Sequence, residues 1–433
     1  MSSFEIHPKY TLWKESHYSN IYKYNEDLLK ELPKYDHGSI QYPTIVECAM
    51  TKFLNLSSHF TECYSIYNNP EKVYIFQRYK GESLPDWIKK TPLKERLSDI
   101  PIIFKQLLEI CLFLEKQGLQ HTDLKPLNIL YSNQTVSLID YNCISVLKLV
   151  NNEPTWTSGI GTWKYVSPEI IKNDSVHSNS IVWSLGLILC YLFNDLPNTK
   201  KYYEFEFQIE ERSFWKKFYK YIQYSEECRY AFKKAYKYIP DEWKALLYCM
   251  LRWDPDDRIS LQKTLDFINT IFHVYPTRIP YFQRRVTPCQ PILNSRLYYL
   301  DKLFTFMDSN HLYRFCTTFF LWDSFQLFLT PENEVVSLTS CYLISGLLYN
   351  EFIEDSNFNE FLMYMNVSFK DVEPFIWKVA ESLQWNLYQK STDLYLQKHY
   401  TTIPWKEFRT FYSTYTEPYS TESLSQAFIS NMT

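Results

Sequence analysis

The sequence predicts an α+β protein in which a small strand-rich lobe and a larger helical lobe are followed by an all-helical module. Short runs of β-branched and aromatic residues at positions 10–30 and 72–79 indicate strands, and positions 42–56 carry apolar residues at helical spacing. From position 93 onward, helical periodicity dominates. Four prolines within positions 275–291 then favour an extended connector, so we place a domain boundary there.

These changes of pattern define the predicted segments. The two lobes occupy residues 1–80 and 81–275, a proline-rich linker occupies 276–292, a helical domain occupies 293–400, and a tail rich in Ser and Thr occupies 401–433. Within the helical domain, apolar periodicity predicts five helices separated by short polar breaks, at 297–307, 311–328, 334–350, 357–365 and 371–385.

The composition is that of an ordinary globular protein. The chain has 433 residues, of which 45% are hydrophobic and 22% charged. A net charge of −4 without a long basic run argues against a nucleic-acid or membrane partner. Ten scattered cysteines and an N-terminus without an apolar signal segment favour an intracellular protein of the cytoplasm or nucleus. Abundant Tyr, Asn, Ile, Lys and Phe are typical of an AT-rich genome such as that of some viruses.

The stretch LQHTDLKPLNILY places an acid, a base and an amide next to apolar residues. Phosphoryl transfer needs a carboxylate that orients the attacking hydroxyl, oxygen ligands for metal ions, and cations against the phosphate charge. Asp123, Lys125 and Asn128 could supply one of these each. Asp140 follows the apolar run 136–139, and a buried strand would hold it as a second metal ligand. The alternative for the first stretch is a polar turn that leads into a buried strand. Taken alone, an aspartate after an apolar strand, such as Asp140, is more often a turn residue or a helix cap.

Five segments, HTDLKPLNIL, LIDYN, GTWKYVSPE, VWSLGLIL and DPDDRIS, occur in this order along the chain. They resemble the catalytic loop H-R-D-L-K-P-x-N-I-L, the D-F-G segment, the G-T-x-x-Y-x-A-P-E segment and two later signatures of the eukaryotic protein kinases. Because all five have the family's order and spacing, a chance match is negligible. The resemblance implies a bilobal kinase fold with ATP and two Mg²⁺ ions between the lobes, and an ion pair between Glu169 and Arg258.

The small lobe resembles the family less closely. LWKESHYSNIYKY lies where kinases have a glycine-rich loop, with Lys14, Ser16 and Ser19 at the three glycine positions, so we expect a crowded roof over ATP and weaker nucleotide binding. The resemblance implies that Lys30 binds phosphate and pairs with Glu47 in YPTIVE, which is similar to the P-S-T-A-I-R-E helix of cyclin-dependent kinases. A solvated lysine and an exposed helix charge are the alternatives. The other implied nucleotide-binding residues are Ile21, Gln77 and Tyr79.

Several positions depart from the kinase pattern. Thr122 replaces the arginine that receives the activation-segment phosphate in many kinases, so phosphorylation of Thr157 is expected to be dispensable. Asn142 stands for the D-F-G glycine, and Asn tolerates unusual backbone angles. Ile181 falls where kinases have an aspartate that holds the catalytic loop. Every residue that would touch phosphate, metal or hydroxyl is retained, which favours an active enzyme.

Lys125 together with Thr162 resembles the serine/threonine kinases, so we expect transfer of the γ-phosphoryl group of ATP to serine or threonine of protein substrates. A pseudokinase scaffold that binds cell-cycle partners is the leading alternative, favoured by the missing glycines. A kinase of small molecules is a third possibility, but it would not predict the SPE and DPDDR elements that are present.

The last third of the chain resembles a cyclin box over about residues 295–396. FFLWDSFQLFL, SLTSCYLISGLLYNE and KDVEPFIWKVAESLQWNLYQKSTDLYL are similar to its successive helices, and Asp323 matches the aspartate of the cyclin segment D-R-F-L. Leu347 stands where cyclins have a lysine that contacts the kinase. An unrelated five-helix bundle is the alternative.

Together the two resemblances imply a monomeric fusion of a cyclin-dependent-like kinase and its own activator. The linker is long enough for the helical module to reach the 43–56 helix, and packing there would press Glu47 toward Lys30. Because a covalent link gives an effective concentration of about millimolar, even a weak contact between the two parts would stay closed. We therefore expect activity without a second chain.

Overall fold

The computed structural model describes most of the chain. The described residues are 6–16, 18–36, 39–55, 57–150, 153–157, 161–162, 165–173, 176–193, 239–252, 254–272, 294–307, 312–330, 332–349, 356–400, 403–415, 417 and 419–432. The predicted linker, 276–292, lies outside them. Within these ranges, no helix combines the length and the apolar character that crossing a bilayer requires.

The predicted strand-rich N-terminal lobe is confirmed. Its main sheet is antiparallel and has five strands in the order β1-β2-β3-β7-β6. A short strand pair and one helix complete the lobe. The elements are β1 Thr11–Glu15, β2 Asn20–Tyr24, β3 Asp27–Pro33, β4 Tyr35–Asp36, β5 Ser39–Ile40, α1 Tyr42–Leu54, β6 Cys63–Asn68 and β7 Lys72–Arg78.

Helix α1 is covered on nearly all sides. It begins with Pro43 in its first turn, where the fixed φ of proline suits a helix and its missing N–H breaks no hydrogen bond. Nine of its 13 residues are buried, whereas a helix with one solvent face buries about half. One side contacts β6 of its own lobe, and another contacts a helix of the C-terminal module. The position of α1 therefore depends on both parts of the protein.

The second lobe is mainly helical, with two short three-stranded sheets, β11-β10-β8 and β13-β12-β9. Its elements are β8 Glu82–Ser83, α2 Leu84–Lys90, α3 Leu93–Arg96, α4 Asp99–Lys116, β9 Leu119–His121, β10 Ile129–Ser132, β11 Thr135–Leu138, β12 Ile144–Val150, β13 Glu153–Trp156, α5 Pro168–Asn173, α6 Ser180–Leu192, α7 Asp241–Met250 and α8 Leu261–Phe272. Helix α4 is the centre of this lobe, because 11 of its 18 residues are buried. It leads directly into β9, and thus into the segment that carries Asp123.

The C-terminal module contains eight described helices. They are α9 Asn294–Phe306, α10 Leu312–Phe325, α11 Glu334–Leu348, α12 Ser356–Met365, α13 Phe369–Ser382, α14 Thr392–Leu396, α15 Trp405–Thr414 and α16 Thr421–Met432. The first five lie close to the predicted positions. Helix α11 is central, since every residue from Ser337 to Leu348 is buried and it contacts α10, α13 and helix α1 of the N-terminal lobe. One continuous cluster of buried apolar residues runs through both lobes and this module.

Residues assigned to a separate tail in the sequence analysis form α15 and α16, which are packed into the module. The reason is a buried carboxylate on α10. Asp323 accepts hydrogen bonds from Arg296 at 2.9 Å and from the hydroxyls of Tyr412 and Tyr419, both at 2.8 Å. A buried ion pair is stable only when its remaining lone pairs are hydrogen-bonded, and the two tyrosines supply these bonds. The module therefore extends to at least Met432.

A second buried carboxylate in the module, Asp393 in α14, is 1% exposed. The Ser391 hydroxyl and the backbone N–H groups of Leu394 and Leu149 stabilise its charged form, but they offset the effect of burial only in part. Burial raises the pKa of Asp393 to about 6. Since this folded-state pKa exceeds the unfolded value of about 3.9, Asp393 contributes stability below about pH 4 that is lost as the pH rises through 6.

We expect Asp393→Asn to stabilise the protein by about 1–2 kcal/mol at pH 7 and to flatten the pH dependence of stability between about pH 4 and 6, because an amide does not ionise. Urea unfolding across this range measures both effects. Glu360→Gln, which neutralises an exposed acid on α12 of the same module, is the matched control. Stability profiles of Asp393→Asn and wild type that run parallel would contradict the prediction.

Candidate active site

The β10–β11 hairpin brings two predicted metal ligands to the same end of a sheet. Its turn lies at Asn133 and Gln134, whose φ values of 48° and 59° match a type I′ turn. Strand β10 begins directly after Asn128, and β11 ends shortly before Asp140. The Ile139 N–H donates to the Asn128 carbonyl at 3.1 Å. Two residues 12 positions apart in sequence are therefore held side by side.

Lys30 on β3 lies between two carboxylates. Its Nζ is 2.8 Å from Oε1 of Glu47 on α1 and 2.8 Å from Oδ1 of Asp140. Burial alone would lower the pKa of Lys30, but the two carboxylates raise it further than burial lowers it. Partial burial alone would raise the pKa of Asp140, but Lys30 holds it below its usual value. Burial raises the pKa of Glu47. The result is a charged cleft wall with one carboxylate in excess.

Tyr141 stabilises the turn that carries Asp140 through three hydrogen bonds. Its hydroxyl accepts a hydrogen bond from the Thr61 N–H at 2.8 Å and donates one to the Leu138 carbonyl at 2.5 Å. Its backbone N–H donates to Oε2 of Glu47 at 2.5 Å. Glu47 thus contacts Lys30 with one oxygen and the Asp140 turn with the other. The sequence interpretation gave unusual backbone angles to Asn142, whereas the left-handed angle, φ 68°, is at Asp140.

The predicted catalytic residues around Asp123 contact one another. Oδ2 of Asp123 accepts from Lys125 Nζ at 2.6 Å and from the Asn128 amide at 3.2 Å. Oδ1 accepts from the backbone N–H of Thr162 at 2.6 Å, and Lys125 also donates to the Thr162 hydroxyl at 2.7 Å. The Asn128 nitrogen is thus occupied, which leaves its oxygen as the atom that could ligate a cation. These contacts bring the catalytic loop and the activation segment together.

His121 connects this group to Asp140. Its Nε2 lies 3.2 Å from the Ile139 carbonyl, next to the strand end that carries Asp140. Burial lowers the pKa of His121, against the opposing charges of Asp123 and Asp140. His121, two residues before Asp123, therefore connects the segment that carries Asp123 to the residue that precedes Asp140.

The catalytic loop is braced without an aspartate at position 181. Ile181 is buried and cannot accept a hydrogen bond. Instead, the Thr122 hydroxyl and N–H both donate to the Cys143 carbonyl. Gln120 donates to the carbonyls of residues 177 and 178 at 3.3 and 3.2 Å. Sequence reasoning missed this brace, although the threonine of HTD was its visible signal.

Gly161 fits a close approach between the activation segment and the catalytic loop. A Cβ atom at this position would clash with the Thr122 carbonyl and lie 2.7 Å from Cα of Asp123. Only glycine allows the two backbones to lie this close together. We infer that close packing requires glycine at position 161, whereas the hydrogen bond with Lys125 favours threonine at position 162.

The predicted ion pair of the activation segment is present in the structure. Both oxygens of Glu169 accept from the Arg258 guanidinium, at 2.9 and 3.0 Å, and Ser180 donates to the same carboxylate at 2.6 Å. Burial alone would raise the pKa of Glu169, but the Arg258 hydrogen bonds hold it below its usual value. This bidentate pair joins α5 to the loop before α8.

Thr157 is buried and hydrogen-bonded. Its hydroxyl accepts from the Val146 N–H at 2.8 Å, and its carbonyl accepts from the Ser145 hydroxyl at 2.6 Å. A phosphate could be added here only after this segment separates from β12. The neutral hydrogen bonds of Thr157 therefore order this segment against β12. In other proteins, a phosphate group orders such a segment through its charge.

The roof of the cleft differs from a phosphate-binding loop. The Ser19 N–H donates to the Ser16 hydroxyl at 3.0 Å, and the Ser16 N–H donates to the Ser19 carbonyl at 2.9 Å. These amides are already satisfied within the hairpin, so fewer remain for phosphate than in a glycine-rich loop. Lys14 pairs with Ile21 across β1 and β2, and Ile21 pairs with Lys30 across β2 and β3.

The predicted nucleotide-binding residues Gln77 and Tyr79 lie at the end of β7, where Tyr79 takes part in an aromatic cluster. Gln77 lies on β7 and pairs with residue 28 of β3, and Tyr79 follows that strand. The Tyr79 ring lies 5.7 Å from Trp13, edge-on, and Lys23 Nζ lies 3.7 Å from the centre of the Tyr79 ring. Trp13 and Lys23 were missed by sequence reasoning, because exposed aromatic and basic residues on strands carry no specific signal.

The donor set suits magnesium rather than a softer metal. Among the described residues, no three His, Cys, Asp or Glu side chains gather as a metal cluster. Asn128 and Asp140 offer two hard oxygen donors, and Mg²⁺ is commonly held by one or two such groups together with substrate phosphates and water. The residues present therefore fit magnesium as the ion that accompanies a nucleotide.

Comparison with known proteins agrees with this geometry. The protein kinase domain family matches residues 24–267, more than half of the 433-residue chain. A probable serine/threonine-protein kinase of Dictyostelium discoideum is 32% identical over 166 residues, which are 34% of this chain and 24% of that protein. Serine/threonine-protein kinase cds1 of Schizosaccharomyces pombe is 32% identical over 138 residues, 30% of this chain and 29% of that protein.

Mitogen-activated protein kinase kinase 1 of Arabidopsis thaliana is also 32% identical, over 142 residues, 31% of this chain and 39% of that protein. The chain thus spans between about a quarter and two fifths of the length of these relatives. The family match covers the five-stranded sheet from β3 onward, the catalytic loop and the helices through more than half of α8. The chain belongs to the protein kinase family.

Proposed function

We propose that the protein is a serine/threonine protein kinase that transfers the γ-phosphoryl group of ATP to hydroxyls of protein substrates. The observation that carries the proposal is that two charged groups, Lys30 with Glu47 and Asp140, and Asp123 with its lysine and amide neighbours, are linked through the β10–β11 hairpin and His121. An ammonium ion, two oxygen donors and a catalytic carboxylate are the parts that phosphoryl transfer requires.

Each residue has a distinct task in this mechanism. Asp123 accepts the hydrogen bond of the incoming hydroxyl and orients it, and Lys125 neutralises charge on the phosphoryl oxygens. Lys30, held by Glu47, binds the phosphates that remain on the nucleotide. Mg²⁺, when bound to Asn128 and Asp140, would supply further neutralisation of phosphate charge. The protein contributes positioning and electrostatics, and no covalent intermediate is required.

The choice of serine and threonine rests on two observations. Lys125 donates to the Thr162 hydroxyl at 2.7 Å, which joins the two residues that resemble serine/threonine kinases. The relatives named above are also described as serine/threonine kinases, or as a kinase of another kinase.

We further propose that the C-terminal module is a cyclin-like activator within the same chain. It covers the outer face of α1, the helix that carries Glu47. Phe53 of α1 packs edge-on against Tyr388 of the module, with ring centres 4.8 Å apart. Tyr35, close to α1, packs against Trp377 at 6.1 Å. These contacts support a role in which the module holds Glu47 against Lys30 in a monomeric protein.

A phosphotransfer assay tests the enzymatic proposal. The purified full chain is incubated with γ-labelled ATP, Mg²⁺ and a generic protein substrate, and the labelled amino acid is identified after hydrolysis. We expect phosphoserine and phosphothreonine. Asp123→Asn, which changes the charge but hardly the size of the catalytic carboxylate, gives the background. Label on tyrosine alone would contradict the substrate class, and label no higher than the Asp123→Asn background would contradict the enzyme.

A pseudokinase scaffold is the second candidate, and the self-bonded hairpin of Ser16 and Ser19 favours it. Thermal unfolding with and without ATP and Mg²⁺ separates the two, because a ligand that binds only the native state raises the melting temperature. An unchanged melting temperature together with background transfer would establish the scaffold.

A further inference from the structure

The C-terminal end of α4 is closed by side chains of the module. A helix leaves its last carbonyl groups without partners inside the helix. Here the carbonyl of Gln117 accepts a hydrogen bond from the Tyr388 hydroxyl at 2.8 Å, and that of Lys116 accepts one from Lys390 Nζ at 3.1 Å. A cation at this position also interacts favourably with the helix dipole. The module therefore caps a kinase helix.

This cap lies next to the catalytic loop. Gly118 follows with φ 72°, the left-handed conformation that commonly ends a helix, and β9 begins at the next residue. The module lies close to Gly118 itself, since a Cβ atom built there would be 3.6 Å from the Tyr388 hydroxyl and 3.8 Å from Leu394. Asp123 lies only five positions after Gly118. A shift at the end of α4 is therefore transmitted directly into the loop.

Tyr388 contacts both lobes of the kinase. Its ring packs against Phe53 near the end of α1, and its hydroxyl bonds the end of α4. It is 4% exposed, so both contacts are shielded from water. Helix α1 carries Glu47, and α4 leads to Asp123. One module side chain thus lies between the element that positions Lys30 and the element that positions the catalytic carboxylate.

We propose that Tyr388 is a positioning residue that sets the catalytic loop relative to the Lys30–Glu47 pair. The inference rests on the proposed kinase activity and adds to it a second route of activation. In the first route the module acts on α1 and the nucleotide side of the cleft. In the second it acts through the end of α4 on Asp123, which orients the acceptor hydroxyl. The Tyr388 ring contacts Phe53 of α1 and therefore acts in the first route. The Tyr388 hydroxyl bonds the end of α4 and therefore acts only in the second.

Tyr388→Phe in the full chain separates the two routes, because it keeps the ring against Phe53 and removes only the hydroxyl. We expect kcat to fall about tenfold, the size expected when a buried carbonyl loses its partner. The KM for ATP should stay within about twofold, since the Lys30 side is untouched. Lys390→Met should give a smaller decrease in kcat, because that hydrogen bond is solvent-exposed.

Tyr419→Phe is the matched control. It removes a buried tyrosine hydroxyl from the same module, but that hydroxyl bonds Asp323 rather than a kinase helix. A general loss of module stability would lower kcat in both variants, whereas positioning by Tyr388 predicts the loss in Tyr388→Phe alone. Equal decreases in the two variants would overturn the inference.

Hydrogen exchange provides a readout that does not depend on catalysis. In Tyr388→Phe, the backbone amides of residues 118–124 should exchange about tenfold faster than in wild type, whereas in Tyr419→Phe they should not. If the wild type transfers no phosphate, the proposed function fails, and this exchange experiment still decides whether Tyr388 holds the loop. Exchange rates in Tyr388→Phe within twofold of wild type would overturn the inference.

Discussion

Asp140→Ala is expected to abolish phosphoryl transfer while leaving the protein nearly as stable as wild type. The carboxylate is one of two hard oxygen donors in the cleft, and loss of such a group should lower kcat by at least about a thousandfold. Its side chain is 31% exposed, so its removal leaves no closed cavity. Lys30 keeps its contact with Glu47 at 2.8 Å, so no buried charge is left without a partner. Stability should fall by only about 1 kcal/mol, mainly because Ala adopts the left-handed backbone at φ 68° less readily than Asp.

Labelled-ATP transfer and urea unfolding of the same preparation measure the two effects together. Asp241→Ala is the matched control, because Asp241 also pairs with a lysine at 2.8 Å but lies on an exposed helix far along the chain. Transfer by Asp140→Ala at more than a few per cent of the wild-type rate would remove Asp140 from the catalytic group. A large loss of stability would instead show that its ion pair with Lys30 is structural.

A chain that ends at residue 280 is expected to lose most of its activity. Without the module, the outer face of α1 becomes exposed to water, and Glu47 is held only by Lys30 and the Tyr141 N–H. Allosteric coupling of this kind typically changes activity between about 5-fold and 150-fold, and we expect a decrease in that range. A separately purified fragment of residues 294–433, added at tens of micromolar, should restore the activity in part. The restoration is incomplete because this concentration is below the effective concentration near millimolar that the covalent link provides.

The full chain with residues 276–292 replaced by a Gly/Ser segment of equal length is the control for this experiment. It should remain active, since the linker needs only to span the distance. Thermal unfolding of the 1–280 chain establishes that it is folded before its rate is measured. A folded 1–280 chain that phosphorylates the substrate as fast as the full chain would reject the activator role.

The general fold could be predicted from the sequence because its signals are local. The five kinase segments and the helical periodicity of the last third depend on residues close to one another in the chain. Thus α1 is observed at Tyr42–Leu54, where a helix was predicted over 42–56. The contact of Lys30 with Glu47 spans 17 positions, and it could be inferred only through the family resemblance.

Other features could not be predicted because they depend on contacts between distant segments. Thr157 is buried because it packs against β12. Nothing in the local sequence shows that its hydroxyl accepts a hydrogen bond from the Val146 N–H. Thr122 braces the catalytic loop in place of an aspartate at position 181. In the sequence, Thr122 is recognisable only as the replacement of an arginine. Residues 401–433 were assigned to a tail because they are rich in Ser and Thr, and the sequence alone left open whether that tail is ordered. The structure buries Phe408, Tyr412, Tyr419 and Phe428 in the module.

The hydrogen bonds that reach Asp323 also bear on how the protein matures during synthesis. Tyr412 and Tyr419 lie 89 and 96 positions further along the chain than Asp323. On the ribosome, α10 therefore emerges well before the groups that satisfy its buried carboxylate, and the kinase lobes emerge earlier still. The proposed activator cannot complete its interior until translation has passed Tyr419. In nascent or prematurely terminated chains, the two kinase lobes would then be folded, but the cleft would be inactive because the proposed activator is incomplete.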